Sequence, residues 1–87
     1  MSEMFFYCKN LFKLNLSSFN TINVTDMSYM FSLCFNLSEL NLSSFNTINV
    51  TNMNWMFDGC NNLNKVIINK LHIKKFKEKI NISKIKF

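Results

Sequence analysis

Apolar residues recur along this chain in two patterns, and the first is typical of short strands. Leu40 and Leu42 alternate with polar neighbours, as the buried side chains of a strand do, and Leu37 stands three residues before them. The same spacing recurs in two further sets, Leu11, Leu14, Leu16 and Leu63, Val66, Ile68. The pattern predicts strands near residues 13–16, 39–42 and 65–68.

The second pattern has the spacing of a short amphipathic helix. Positions i, i+3, i+4 and i+7 share one face of a two-turn helix. Apolar residues take this spacing in two sets, Met27, Met30, Phe31, Cys34 and Met53, Met56, Phe57, Cys60. Thr25 or Asp26 stands before the first set, where an N-cap residue is expected, and Thr51 or Asn52 stands before the second. This pattern predicts one short helix in each segment.

Both patterns belong to a sequence repeat of 26 residues. Residues 1–26 and 27–52 align without a gap, and a third copy begins at Met53. A strand and a helix in 26 residues cannot bury their own apolar faces, so stacked copies must share one core. The sequence therefore predicts an α/β fold, namely a leucine-rich-repeat solenoid with one short parallel strand and one short helix per repeat. We expect a single solenoid domain over residues 1–87, with repeats at 1–26, 27–52 and 53–71 and a C-terminal cap at 72–87.

The C-terminal segment departs from the repeat and has the pattern of a cap. Ile73, Phe76 and Ile80 share one helical face, and charged residues occupy the other faces. The strand spacing then returns a last time, at Ile82, Ile85 and Phe87. We expect a capping helix followed by a capping strand.

Composition changes this picture at the turns and at the C-terminus. The chain has no Pro and one Gly, so Asn, which tolerates left-handed backbone, is expected to form many turns. The net charge of +5 is uneven, because residues 65–87 hold eight Lys and one acid, whereas residues 1–64 hold two Lys and four acids. The chain contains no run of 18 apolar residues that could span a bilayer, and its first residues do not resemble a signal peptide. We therefore expect no export signal in this sequence.

The repeat resembles that of the BspA-like leucine-rich-repeat surface proteins. The resemblance covers roughly residues 1–70 and rests on the motif N-V-T-D-M-S-Y-M-F-x-x-C-x-N-L-x-x-L-N-L-S-S-F-N-T, which recurs in register. It implies a secreted or cell-surface protein that mediates adhesion and protein contacts, in arrays longer than this chain. We accordingly expect the chain to be a fragment of such an array.

The candidate chemistry of the chain is sparse. Cys8, Cys34 and Cys60 share one phase of the repeat, which favours an inward column of small buried side chains. A disulfide between neighbouring copies would leave one thiol unpaired, and zinc would need a fourth ligand. His72 is the only histidine, and no sequence signature supplies the partners that nucleophilic or acid–base catalysis requires. We expect no metal, no cofactor and no catalytic residues.

The outward side chains of the predicted strands are the candidate binding face. They form two columns, Lys13, Glu39, Lys65, Lys84 and Asn15, Asn41, Ile67, Lys86. The exposed sheet face is the usual binding site of stacked repeats, so we predict a non-catalytic protein-binding or adhesion module whose ligand is a protein or a host surface component. One alternative is a purely structural segment of an array.

Another alternative is a small basic protein that binds nucleic acid or anionic lipid through its Lys-rich C-terminus. Apart from Phe76, which the pattern buries, no aromatic residue interleaves these lysines as a stacking platform requires. A solvated helix face is the favoured interpretation, and nucleic acid and membrane are not the expected partners.

The N-terminal repeat is more apolar than its copies at two positions. Phe6 and Phe12 stand where the second repeat has Ser32 and Ser38. Large aromatic side chains at solvent-tolerant positions predict an apolar patch that needs a cover. We expect the cover to be either further repeats stacked on this end or self-association through it, and the alternative is that the two rings fold back over the first repeat.

Overall fold

The computed structural model describes residues 1–79, without the side chain of Lys79. Three strands, β1 (Lys13–Asn15), β2 (Glu39–Leu42) and β3 (Lys65–Ile68), are followed by one helix, α1 (Lys70–Lys79). All strand pairs are parallel, and their order in the sheet is β1-β2-β3. The predicted strand positions are therefore confirmed.

The strand register follows the sequence repeat. Leu14 pairs with Leu40, and Leu40 pairs with Val66, so equivalent residues 26 positions apart are neighbours in the sheet. Leu40 and Val66 are buried, whereas Leu14 in the edge strand is only half-buried. The sheet thus presents one apolar face to the core and leaves the intervening side chains on the other face.

The predicted leucine-rich-repeat solenoid is wrong. The 87-residue chain is too small for a multi-repeat solenoid, and residues 1–79 form one open sheet of three parallel strands with one helix. The broader α/β class is correct. That helix is not long and apolar enough to cross a membrane.

The prediction of a short helix in each repeat is also wrong. Residues 27–34 form successive turns, because Tyr29 and Leu33 adopt left-handed backbone with φ of 56° and 61°. In a helix their amide groups would donate to carbonyl groups four residues earlier. Instead the N–H of Tyr29 donates to the carbonyl of Asn54 at 3.0 Å, and that of Leu33 donates to the carbonyl of Asp58.

The same turn geometry recurs in all three copies of the repeat. The left-handed residues are Glu3, Tyr7, Tyr29, Leu33, Trp55 and Gly59. A left-handed conformation costs a non-glycine residue roughly 1–2 kcal/mol, and hydrogen bonds between neighbouring copies offset this cost. Turns, rather than a helix, thus direct four apolar side chains into the core, namely Met27, Met30, Phe31 and Cys34.

Helix α1 begins after a capping residue and is anchored by one aromatic side chain. The side-chain oxygen of Asn69 accepts a hydrogen bond from the N–H of Leu71 at 2.9 Å, as an N-cap residue does. Phe76 is fully buried and Ile73 is half-buried. The expected C-terminal strand at Ile82, Ile85 and Phe87 lies outside the described residues.

A row of stacked aromatic rings runs through the core. The ring centroids of Phe5 and Phe31 are 5.5 Å apart, those of Phe31 and Phe57 are 5.7 Å apart, and those of Phe57 and Phe76 are 6.3 Å apart. Ring planes in the first two pairs are almost parallel, at 3° and 9°. The row joins all three copies of the repeat to α1.

Asn residues close many of the turns, as predicted, but they do so by side-chain hydrogen bonds, and within residues 1–79 no Asn adopts the left-handed backbone on which the prediction relied. The side-chain oxygen of Asn41 accepts a hydrogen bond from the N–H of Ser43 at 2.9 Å, two residues later. The same local bond is formed by Asn15, Asn20, Asn46, Asn52 and Asn69. The amide side chains therefore serve as turn residues in a chain that has no Pro.

Candidate binding groove on the sheet

The outward face of the sheet carries the first column of the predicted binding residues. Lys13, Glu39 and Lys65 are paired across the three strands. The Nζ atoms of Lys13 and Lys65 lie 3.8 Å and 3.4 Å from the Oε2 and Oε1 atoms of Glu39, respectively. One carboxylate thus faces two ammonium groups, and the column keeps a net positive charge.

This charged column contributes little to the stability of the fold. The side chains of Lys13 and Lys65 are 76 % and 58 % exposed, and that of Glu39 is 32 % exposed. Exposed ion pairs are each worth about 0–1 kcal/mol. The column therefore leaves charged groups available to a ligand at small cost to folding.

The second column places amide groups beside an apolar side chain. Asn15, Asn41 and Ile67 are neighbours in the register, and Ile67 is 37 % exposed. The side-chain oxygens of both Asn residues are engaged with the N–H groups of Ser17 and Ser43. Within residues 1–79 their NH₂ groups form no hydrogen bond, so these donors remain for a ligand.

The two columns flank a shallow groove on the outward face. It has a volume of about 280 Å³ and is lined by Lys13, Leu14, Asn15, Glu39, Asn41 and Ile67. Lys65 joins the groove through its ion pair with Glu39. The last two predicted binding residues, Lys84 and Lys86, lie outside the described part of the chain.

The cysteines face the core, as predicted. Cys34 and Cys60 are buried, Cys8 is half-buried, and all three thiols are free. The thiols of Cys34 and Cys60 donate hydrogen bonds to the carbonyls of Phe5 and Phe31 at 3.1 Å and 2.9 Å. A hydrogen bond with Cys34 and burial raise the pKa of the Cys60 thiol. Among residues 1–79, no three His, Cys, Asp or Glu side chains are grouped to hold a metal ion.

We expect the buried thiols to react slowly with an alkylating reagent in the native protein. Cys34 has no exposed surface and Cys60 is 5 % exposed, so alkylation requires the fold to open locally. Cys8 is half-buried and should react first. Mass spectrometry of peptides after a timed iodoacetamide pulse measures each site. In denaturant all three should react at similar rates, and equal native rates for Cys34 and Cys8 would contradict this burial.

His72 takes part in a contact between α1 and the second repeat. Its Nδ1 atom lies 3.0 Å from Thr47 Oγ1 and 3.4 Å from the backbone nitrogen of Thr47. In the contact with the backbone N–H of Thr47, Nδ1 is the acceptor. The ammonium of Lys75 donates to the carbonyl oxygen of Thr47. These two residues therefore hold α1 against a buried turn.

Sequence reasoning missed this contact, although the repeat contains a signal for it. Thr47 is equivalent to Thr21, and both are buried. Thr21 bonds to the backbone of Asn46, 25 residues later, and Thr47 bonds to His72 at the same separation. Comparison of the two threonines indicates that His72 takes the position in the third repeat that Asn46 has in the second.

The N-terminal end is apolar and exposed. Phe6 and Phe12 are 41 % and 64 % exposed, and Met4 and Tyr7 are each 50 % exposed. Exposure of this extent fits both alternatives, so self-association through this end stays a prediction, and the fold-back of the two phenylalanines over the first repeat also stays a prediction.

The sequence of residues 1–84 matches a family described as "Mycoplasma protein of unknown function, DUF285". This match extends over nearly the whole chain, and the chain belongs to this family. Neither the curated proteins nor the solved structures contain a significant match to the chain.

Proposed function

We propose that this member of the DUF285 family is a non-catalytic binding module that holds an extended segment of another protein in its sheet groove. The observation that carries the proposal is the groove itself, whose lining includes Lys13, Glu39, Asn15 and Asn41. Lys65 is ion-paired with Glu39 in this lining. Charged groups and free amide donors along a shallow, partly apolar channel suit a peptide backbone with an acidic side chain. Ile67 offers an adjacent apolar contact.

The charge of the groove supports an acidic ligand. Two ammonium groups share the carboxylate of Glu39, so an incoming carboxylate can interact with either lysine without replacing a complete ion pair. The free NH₂ groups of Asn15 and Asn41 can donate to carbonyl oxygens of a ligand backbone. A role in adhesion at a cell surface is part of the proposal, and the resemblance of the repeat to BspA-like surface proteins supports it.

A display selection with random peptides tests the proposal on the full chain. We expect the selected peptides to contain an acidic residue and to bind Asn41→Asp about tenfold more weakly than the parent, because the variant replaces a donor with a negative charge. The introduced carboxylate still accepts the turn hydrogen bond from Ser43, so the fold is kept. Calorimetry or fluorescence anisotropy measures the affinity.

Matched control variants separate the groove from the rest of the surface. Asn20→Asp makes the same exchange at an exposed turn outside the groove and should leave peptide affinity unchanged. Lys65→Ala should weaken binding, whereas Lys77→Ala on α1 should not. Peptides that bind the Asn41 and Lys65 variants as tightly as the parent, or a selection that enriches no peptide, would refute the proposal.

A further inference from the structure

Three exposed aliphatic side chains lie where the turns meet α1. Leu71 is 84 % exposed, Ile48 is 71 % exposed and Ile22 is 38 % exposed. Exposed single apolar residues are ordinary on a protein surface, but a group of them beside positive charge points to an interface.

Hydrogen bonds connect the segments that carry these side chains. Ile48 follows Thr47 and Leu71 precedes His72, and Thr47 is hydrogen-bonded to His72. The side-chain amide of Asn49, next to Ile48, donates to the carbonyl oxygen of Ile22. The three segments that carry the exposed aliphatic residues are thus neighbours in the fold.

Lysines of α1 surround the exposed end of this row. Lys70, Lys74 and Lys77 are exposed, and residues 70, 74 and 77 share one helical face. Leu71 is three residues before Lys74 and so lies beside it on the helix. Glu78 is the only acid of α1, and it pairs with Lys74 at 3.8 Å. We call the set of Ile22, Ile48, Lys70, Leu71, Lys74 and Lys77 the Leu71 surface.

The core contacts of α1 fix the orientation of this surface. Phe76 is fully buried on the opposite side of the helix, and Lys75 and His72 are engaged with Thr47. Leu71 and the lysines at positions 70, 74 and 77 are therefore presented together on a docked helix, next to the turn segment that carries Ile48.

We propose that the Leu71 surface docks on a lipid bilayer that contains anionic headgroups. Lysines at a membrane surface are attracted to anionic lipid, and aliphatic side chains beside them gain by entering the boundary between headgroups and acyl chains. Nucleic acid offers phosphates to the lysines but no apolar layer for Leu71 and Ile48 to enter, and single-stranded nucleic acid is bound by stacking its bases on aromatic rings. This docking is a second activity on a surface distinct from the sheet groove.

Flotation of the full chain with lipid vesicles tests the proposal. The probes are vesicles of phosphatidylcholine alone, vesicles of phosphatidylcholine and phosphatidylglycerol in equal parts, and a short duplex DNA in a parallel assay. We expect binding to the anionic vesicles, weaker binding as salt is raised, and little binding to the neutral vesicles.

Two pairs of variants assign the binding to the Leu71 surface. Leu71→Ser should weaken vesicle affinity about tenfold, and Lys77→Glu at least about fivefold. Phe12→Ser and Lys9→Glu make similar changes at exposed positions of the first repeat and should have little effect. Circular dichroism checks that each variant keeps the fold.

Several outcomes would overturn the docking proposal. They are absence of binding to anionic vesicles, equal affinity of Leu71→Ser and the parent, and tighter binding to the duplex DNA than to the vesicles. Asn41→Asp, which tests the sheet groove, should leave vesicle affinity unchanged. The two proposals can therefore fail separately.

Discussion

Replacing Leu40 by Ala is expected to lower the free energy of unfolding by about 2–5 kcal/mol. Leu40 has no exposed surface and lies in the central strand, where it pairs with Leu14 on one side and Val66 on the other. Its truncation removes apolar contacts and leaves a cavity that strands on both sides hold open. A small domain has a total stability of only about 5–15 kcal/mol, so the variant should lose a large part of its margin. Urea unfolding followed by circular dichroism measures the change.

The chain provides the same substitution at an exposed site as a control. Leu71 is 84 % exposed, and Leu71→Ala should change the unfolding free energy by no more than about 0.5 kcal/mol. Coincident unfolding curves for Leu40→Ala and the parent would contradict both the register and the burial described above.

The strands could be predicted from the sequence because apolar and polar residues that alternate over a few positions fit a strand with one buried face. Leu40 and Leu42 must share a face, and the same spacing around Leu14 and Val66 fixes the register at 26 residues. The rows of Lys13, Glu39 and Lys65 and of Asn15, Asn41 and Ile67 follow from that register.

The prediction of a helix in each repeat was wrong because two backbone conformations, a helix and a series of turns, can both direct the same apolar residues inward. Successive turns with a left-handed residue after every few positions also direct Met27, Met30, Phe31 and Cys34 inward. Gly59 is the only residue at these left-handed positions whose type signals the conformation, and its equivalents are Tyr7 and Leu33. Hydrogen bonds to the neighbouring copy decide the outcome, and a local pattern contains no information about them.

The contacts that join distant segments could not be predicted either. The shared ion pair of Glu39 and the bond between Thr47 and His72 depend on distances that only the folded chain defines. His72 belongs to no sequence motif. Its role as an anchor of α1 is recognised only when its bond to Thr47 is compared with the bond between Thr21 and Asn46. For the same reason the sequence indicated basic charge at the C-terminus but not the aliphatic row next to it.

Replacing Phe31 by Ala is expected to cost about 3–5 kcal/mol of unfolding free energy. Phe31 is fully buried and stacks on Phe5 at 5.5 Å and on Phe57 at 5.7 Å. The truncation therefore opens a cavity between the first and third repeats and removes two ring contacts, each worth about 0.5–1.5 kcal/mol beyond burial. Thermal unfolding and urea titration should both show a large loss of stability.

Two further variants isolate the contribution of the stack. Phe31→Leu keeps most of the apolar volume but removes the ring, so it should lie between the parent and Phe31→Ala. Phe12→Ala removes a ring that is 64 % exposed and should change stability by no more than about 0.5 kcal/mol. Equal stabilities for Phe31→Ala and Phe12→Ala would mean that the aromatic row does not hold the repeats together. A large loss confined to Phe31 would instead identify this ring as the link through which the first repeat, the third repeat and α1 share one core.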